Sequence, residues 1–136
     1  MPENATSQLV FQSYVQREAD VADAVRHVRR TAESLGFSTV NCSYIATAAS
    51  ELATNLVIHA AGGTFIITAD HRAGRLEIVT RDAGPGIPDI ALALCDGFST
   101  SGGLGCGLPG VRRLMDGLEI DSTVGKGTHV RAWKLR

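Results

Sequence analysis

The feature that most constrains this chain is the stretch at residues 96–110, DGFSTSGGLGCGLPG, which holds six of the fifteen glycines in 136 residues. So much backbone freedom in one place fits either a flexible linker or a loop that must bring its main chain close to something. A linker has no use for Phe98, Leu104 and Leu108 set among the glycines, because exposed apolar groups gain nothing there. Gly103, Gly105 and Gly107 alternate, and a helical pattern with Pro109 in its first turn follows directly. Backbone amides at a helix N-terminus form an anion site, so the stretch reads as a backbone cradle for phosphates.

The rest of the composition is that of an ordinary globular chain, 44% hydrophobic and 20% charged, so disorder does not account for the glycines. The length suits one domain spanning 1–136, able to bury a core without staples. A formal net charge of -1 argues against a surface built for nucleic acid or anionic lipid. No apolar run reaches the length of a membrane span, and MPENATSQLV lacks the basic and apolar regions of a signal peptide. Cys42, Cys95 and Cys106 are odd in number and not in CxxC spacing. They are expected to be reduced thiols in a cytoplasmic protein. His27, His59, His71 and His129 are scattered and form no short metal pair.

The pattern along the chain predicts helices first and paired strands after. Residues 8–15 are rich in strand formers and suit a sheet edge. Val21, Val25, Val28, Ala32 and Leu35 make one apolar stripe over 18–35, with Gly36 as the stop. Ser38 caps a second helix, running to about Ala60 and ended by Gly62-Gly63; its apolar side is Ile45, Ala48, Ala49, Leu52 and Leu56. Strands are expected at 64–70 and 75–82 around a turn at Gly74, and again at 118–124 and 128–136 around VGKGT. A short helix fits 89–95, and another runs from about Leu108 to Met115. This order predicts a two-layer α/β sandwich whose hairpin strands are antiparallel.

Three constellations carry chemistry. In ELATNLVIHA, Glu51 and Asn55 are four apart and share a helix face. A carboxylate there can take a proton, and an amide oxygen one turn away can hold a hard cation such as magnesium. Alone, the pair also reads as a plain polar helix face. In DAGPGIP, Asp82 ends a strand and can accept a hydrogen bond from an exocyclic amine, while Gly84 and Gly86 would let the backbone close over a flat ring; alone, it also reads as a turn. The third constellation is GGLGCGL. Other glycine-loop motifs fail on spacing. GCGLPG matches GxGxxG but follows no strand. The kinase glycine loop wants Val where Arg112 stands. VGKGT has Ile120 six before Lys126, where a P-loop has Gly.

The order ExxxN on a helix, DxGxG after a strand, GxGxG before a helix and GT near the last strand is more specific than any one box. It resembles the GHKL ATPase superfamily, the ATP-binding fold of gyrase, mismatch-repair proteins and histidine kinases. AASELATN, DAGPGIPDI, DGFSTSGGLGCGLPGVRRLMD and GKGT are most similar to the RsbT-type anti-sigma-factor serine/threonine kinases of stressosome pathways, from about Gln8 onward. The resemblance implies the GHKL two-layer α/β sandwich, a mostly antiparallel mixed sheet covered on one face by helices. It implies ATP and Mg2+ as cofactors, with Asn55 the magnesium ligand and Glu51 the catalytic base. Asp82 would recognise the adenine amine, assisted by Thr128, with Gly84 and Gly86 shaping the pocket. Gly103, Leu104, Gly105 and Gly107 would form the hinge and cradle of a lid.

It further implies phosphorylation of serine or threonine on STAS-domain partners, an RsbS-like substrate and an RsbR-like scaffold. Release would then permit activation of a PP2C-type phosphatase or other regulator. The alternative is a nucleotide-binding switch acting mainly by binding. One departure stands out: residues 99–107 hold no basic side chain, where some relatives place one near the γ-phosphate. Arg112 and Arg113 follow in the next helix.

Overall fold

A computed structural model describes residues 7–95 and 107–136. The chain forms β1 (Gln8–Val15), α1 (Glu18–Leu35), α2 (Thr39–Ala60), β2 (Gly63–Asp70), β3 (Arg75–Asp82), α3 (Ile90–Ala93), α4 (Gly107–Leu114), β4 (Gly117–Thr123) and β5 (Gly127–Leu135). The five strands make one sheet in the order β1-β2-β3-β5-β4, and each of these four pairings is antiparallel. β1 lies at the edge, as its composition suggested.

Local chemistry accounts for the helix ends. Gly36 takes the left-handed conformation, φ 86°, that closes α1. Ser38 Oγ accepts from Asn41 N at 3.1 Å to start α2. The far end of α2 departs from expectation. Ala61, at φ 59°, is the left-handed cap, while Gly63 is already in β2. A Cβ on Gly63 would stand 2.6 Å from both the Arg81 carbonyl oxygen and the Leu56 side chain. That glycine is needed where the helix presses on the sheet, so the turn falls one residue earlier.

Strand alternation then divides the sheet into two faces. Phe65, Ile67, Leu76, Ile78, Val130 and Ala132 are buried in one cluster with Val28, Leu35, Ile45, Leu52 and Leu56 from the two long helices. The opposite face carries a charged network beside Val79 and Trp133. Glu77 pairs with Arg75 at 3.2 Å and with Arg131 at 3.4 Å, and Arg131 reaches Glu119 at 2.7 Å. The Trp133 ring is flanked by the Arg75 and Arg131 guanidinium groups. Among the described residues, helices therefore cover one face only, which gives the two layers. Among the described residues, no helix is long and apolar enough to cross a membrane.

Candidate functional site

A cavity of about 540 Å³ opens where the C-terminal half of α2 meets the ends of β3 and β5, the loop after β3 and the start of α4. Its size is that of a small-molecule site. Glu51, Asn55 and His59 reach it from successive turns of α2, and Asp82 and Thr128 from the sheet. Ile87 and Leu92 give it an apolar side. The i, i+4 spacing read from the sequence thus does put Glu51 and Asn55 on the wall of one cleft, which Leu52 and Leu56 of the buried stripe also line.

Asp82 ends β3 opposite Thr128 of β5. Its Oδ1 accepts from Gly84 N at 2.9 Å and from Thr128 N at 3.2 Å. Two backbone amides hold that oxygen, so the carboxylate is fixed in orientation and its other oxygen is left for a donor in the cavity. Thr128 Oγ1 lies 2.8 Å from Ser122 Oγ on β4, the residue paired with it across the strands.

The glycines of DAGPGIP have closer neighbours than a flat ring. Gly86 lines the cavity at φ 81°, but a Cβ there would sit 2.5 Å from the Thr123 carbonyl oxygen. Gly125 N donates to Pro85 O at 2.9 Å, and Ile87 N to Ser122 Oγ at 2.8 Å. Gly84 stands behind the wall, where a Cβ would come within 2.9 Å of Ala60 Cβ. Both glycines let the loop close on neighbouring protein, and the pocket's shape follows from that closure.

Glu51 is half-buried, and its Oε2 accepts from Gly107 N at 3.2 Å. Gly107 opens α4 at φ 51° and lines the cavity. The carboxylate of α2 thereby meets the helix start where anions are favoured. Gly103, Leu104 and Gly105 lie outside the described residues. Neither arginine of α4 lines the cavity: Arg112 donates to Leu94 O at 3.2 Å, and Arg113 is also engaged. Among the described lining residues, His59 is the side chain able to carry positive charge.

Sequence reasoning missed His59 and Ser122 as members of this neighbourhood. His59 continues the four-residue spacing from Glu51 through Asn55, which was a usable signal. Ser122 had none beyond strand alternation.

Residues 15–134 match the family model of the histidine kinase-like ATPase domain. The chain is 48% identical over 122 residues to the serine/threonine-protein kinase RsbT of Bacillus subtilis (strain 168), covering 88% of this chain and 92% of that protein. It is 38% identical over 96 residues to the anti-sigma F factor of Thermoanaerobacter sp. (strain X514), covering 66% and 67% of the two chains. To the anti-sigma F factor of Geobacillus stearothermophilus it is 34% identical over 100 residues, 68% of each.

Proposed function

This chain belongs to the histidine kinase-like ATPase family and, within it, to the family of the RsbT serine/threonine-protein kinases; from that premise we propose that it is an ATP- and magnesium-dependent protein serine/threonine kinase acting in the cytoplasm on a STAS-domain partner. Once released from that partner, it activates a downstream regulator such as a PP2C-type phosphatase. The observation that carries this reading is the meeting, in one cavity, of a carboxylate and an amide on one helix face with an oriented aspartate from the sheet.

The roles follow from the chemistry of each group. Asp82, held by two amides through one oxygen, offers the other to the amine of adenine. Thr128 stands beside it. Asn55 presents a hard amide oxygen one turn from Glu51, a donor that suits magnesium as its ligand. Bound there, the ion would offset charge on the phosphates. Glu51 takes the proton of the attacking serine or threonine hydroxyl as the new oxygen–phosphorus bond forms. The bond from the γ-phosphorus to the bridging oxygen breaks, and ADP departs. Gly107, with Gly103, Leu104 and Gly105, supplies the backbone for the phosphate cradle.

The test is single-turnover transfer of labelled γ-phosphate to a STAS-domain protein. Glu51→Gln should bind ATP nearly as well as wild type and transfer about a hundred- to ten-thousandfold more slowly. Asn55→Ala should weaken ATP binding in magnesium and have much less effect in its absence. A Glu51→Gln protein that transfers at the wild-type rate removes Glu51 as the base.

The anti-sigma F factor relatives favour a second reading, in which capture of a partner is the main activity and catalysis is secondary. Under it, Glu51→Gln would leave regulation of the partner intact.

A further inference from the structure

We infer that Ser122, which does not line the cavity, is a positioning residue that fixes the group Thr128 presents to the nucleobase. The inference rests on the reading of the cavity as an ATP site. Its starting point is the hydrogen count around one hydroxyl. Ser122 Oγ accepts from Ile87 N at 2.8 Å. It donates to Gly127 O at 3.1 Å. A third contact, at 2.8 Å, joins it to Thr128 Oγ1.

A serine hydroxyl has one hydrogen and two lone pairs. With the hydrogen on the Gly127 carbonyl and one lone pair taken by Ile87 N–H, the contact to Thr128 is made by the remaining lone pair. The hydrogen in that bond therefore comes from Thr128. All three contacts are satisfied together only in this arrangement. Thr128 then has no hydrogen left to donate, so toward a group in the cavity that the residue lines its hydroxyl can act only as an acceptor.

Asp82 beside it is also an acceptor, through the oxygen that Gly84 N and Thr128 N leave free. Two acceptors side by side match an amine, or an amine with a bridging water. They face a ring carbonyl with lone pairs against lone pairs. Choice of a 6-amino over a 6-oxo purine is thus set by a pair of groups, and the second is held in its accepting state from behind by Ser122. The same hydroxyl ties the loop after β3 to β4, so a merely structural role is the competing account. That account predicts equal losses for every nucleotide.

The experiment compares ATP with inosine triphosphate, whose base carries a carbonyl at position 6, by calorimetric titration. Wild type should prefer ATP. Ser122→Ala frees the Thr128 hydroxyl to rotate and donate to that carbonyl, so the ATP preference should fall by about tenfold, roughly the worth of one neutral hydrogen bond. Ser122→Thr keeps the hydroxyl and should keep the preference. In a Thr128→Val background, Ser122→Ala should leave the ratio unchanged, because its effect passes through Thr128. A folded Ser122→Ala protein with the wild-type ratio, whatever its absolute affinities, overturns the inference. So does a wild type that binds both nucleotides equally, though the site then stands. A wild type that binds neither overturns the reading of the site and this inference with it.

Discussion

At Gly127 and Asp82, which pack against each other across β3 and β5, stability and recognition separate. Gly127 has φ 122°, and a Cβ there would overlap the Asp82 carbonyl oxygen. Gly127→Ala should cost about 1–3 kcal/mol from backbone strain alone, with the overlap adding to it, as read by urea unfolding. Asp82→Asn should behave in the opposite way. The residue is at a strand end and only half-buried, so the fold should survive. Its lost charge should lower ATP affinity by about ten- to a hundredfold, the worth of a charged hydrogen bond of roughly 1.5–3 kcal/mol. Unchanged affinity in a folded Asp82→Asn protein would remove the residue from base recognition. The glycines of DAGPGIP were legible as special backbone. What they accommodate was not, because the Thr123 carbonyl that crowds Gly86 comes from a distant strand.

Among the elements, α1 was the most legible, with both ends where the apolar stripe and Gly36 put them. Its start carries a pH-sensitive feature that periodicity could not reveal. Asp20 Oδ2 accepts from Gln16 N and Arg17 N, each at 3.0 Å. These two backbone hydrogen bonds hold its carboxyl below the ordinary aspartate range. A depressed folded value means a contribution that is present above the unfolded pKa and lost as pH falls through the folded one. Asp20→Asn should therefore lower stability at neutral pH and flatten the decline on acidification, seen in melting temperatures measured from pH 7 downward. An equally steep acid decline in the variant would reject this role. For α4, the ends are fixed by groups far away in sequence. Glu51 meets its first amide, and Lys134 Nζ donates to Leu114 O at 2.8 Å at its last turn.

For the whole molecule, a single helical layer puts the candidate site at one end of the sandwich, where Glu51 and the start of α4 meet. A STAS serine delivered there would gain about -1.5 to -2 charges on phosphorylation at neutral pH. Beside Glu51 that charge is repelled, so transfer should release the partner. Gel filtration with ATP and magnesium checks this: a Ser→Ala partner should co-elute with the protein, and a Ser→Asp partner should elute apart. Equal affinity for the two would leave a kinase without a switch.

The sequence by itself determined the element order, the helix caps at Gly36 and Ser38, the antiparallel hairpins and the placing of Glu51 and Asn55 on one face. These depend on near neighbours, through periods of 3.6 and 2 and through cap and turn chemistry. Tertiary structure decided which oxygen of Asp82 is free, because Thr128 N reaches it from 46 residues away. It also moved the cap of α2 to Ala61, occupied Arg112 with the Leu94 carbonyl and set Ser122 behind Thr128. Those outcomes rest on hydrogen bonds and close contacts between separate elements, and local periodicity does not encode which atoms will meet when the sheet closes.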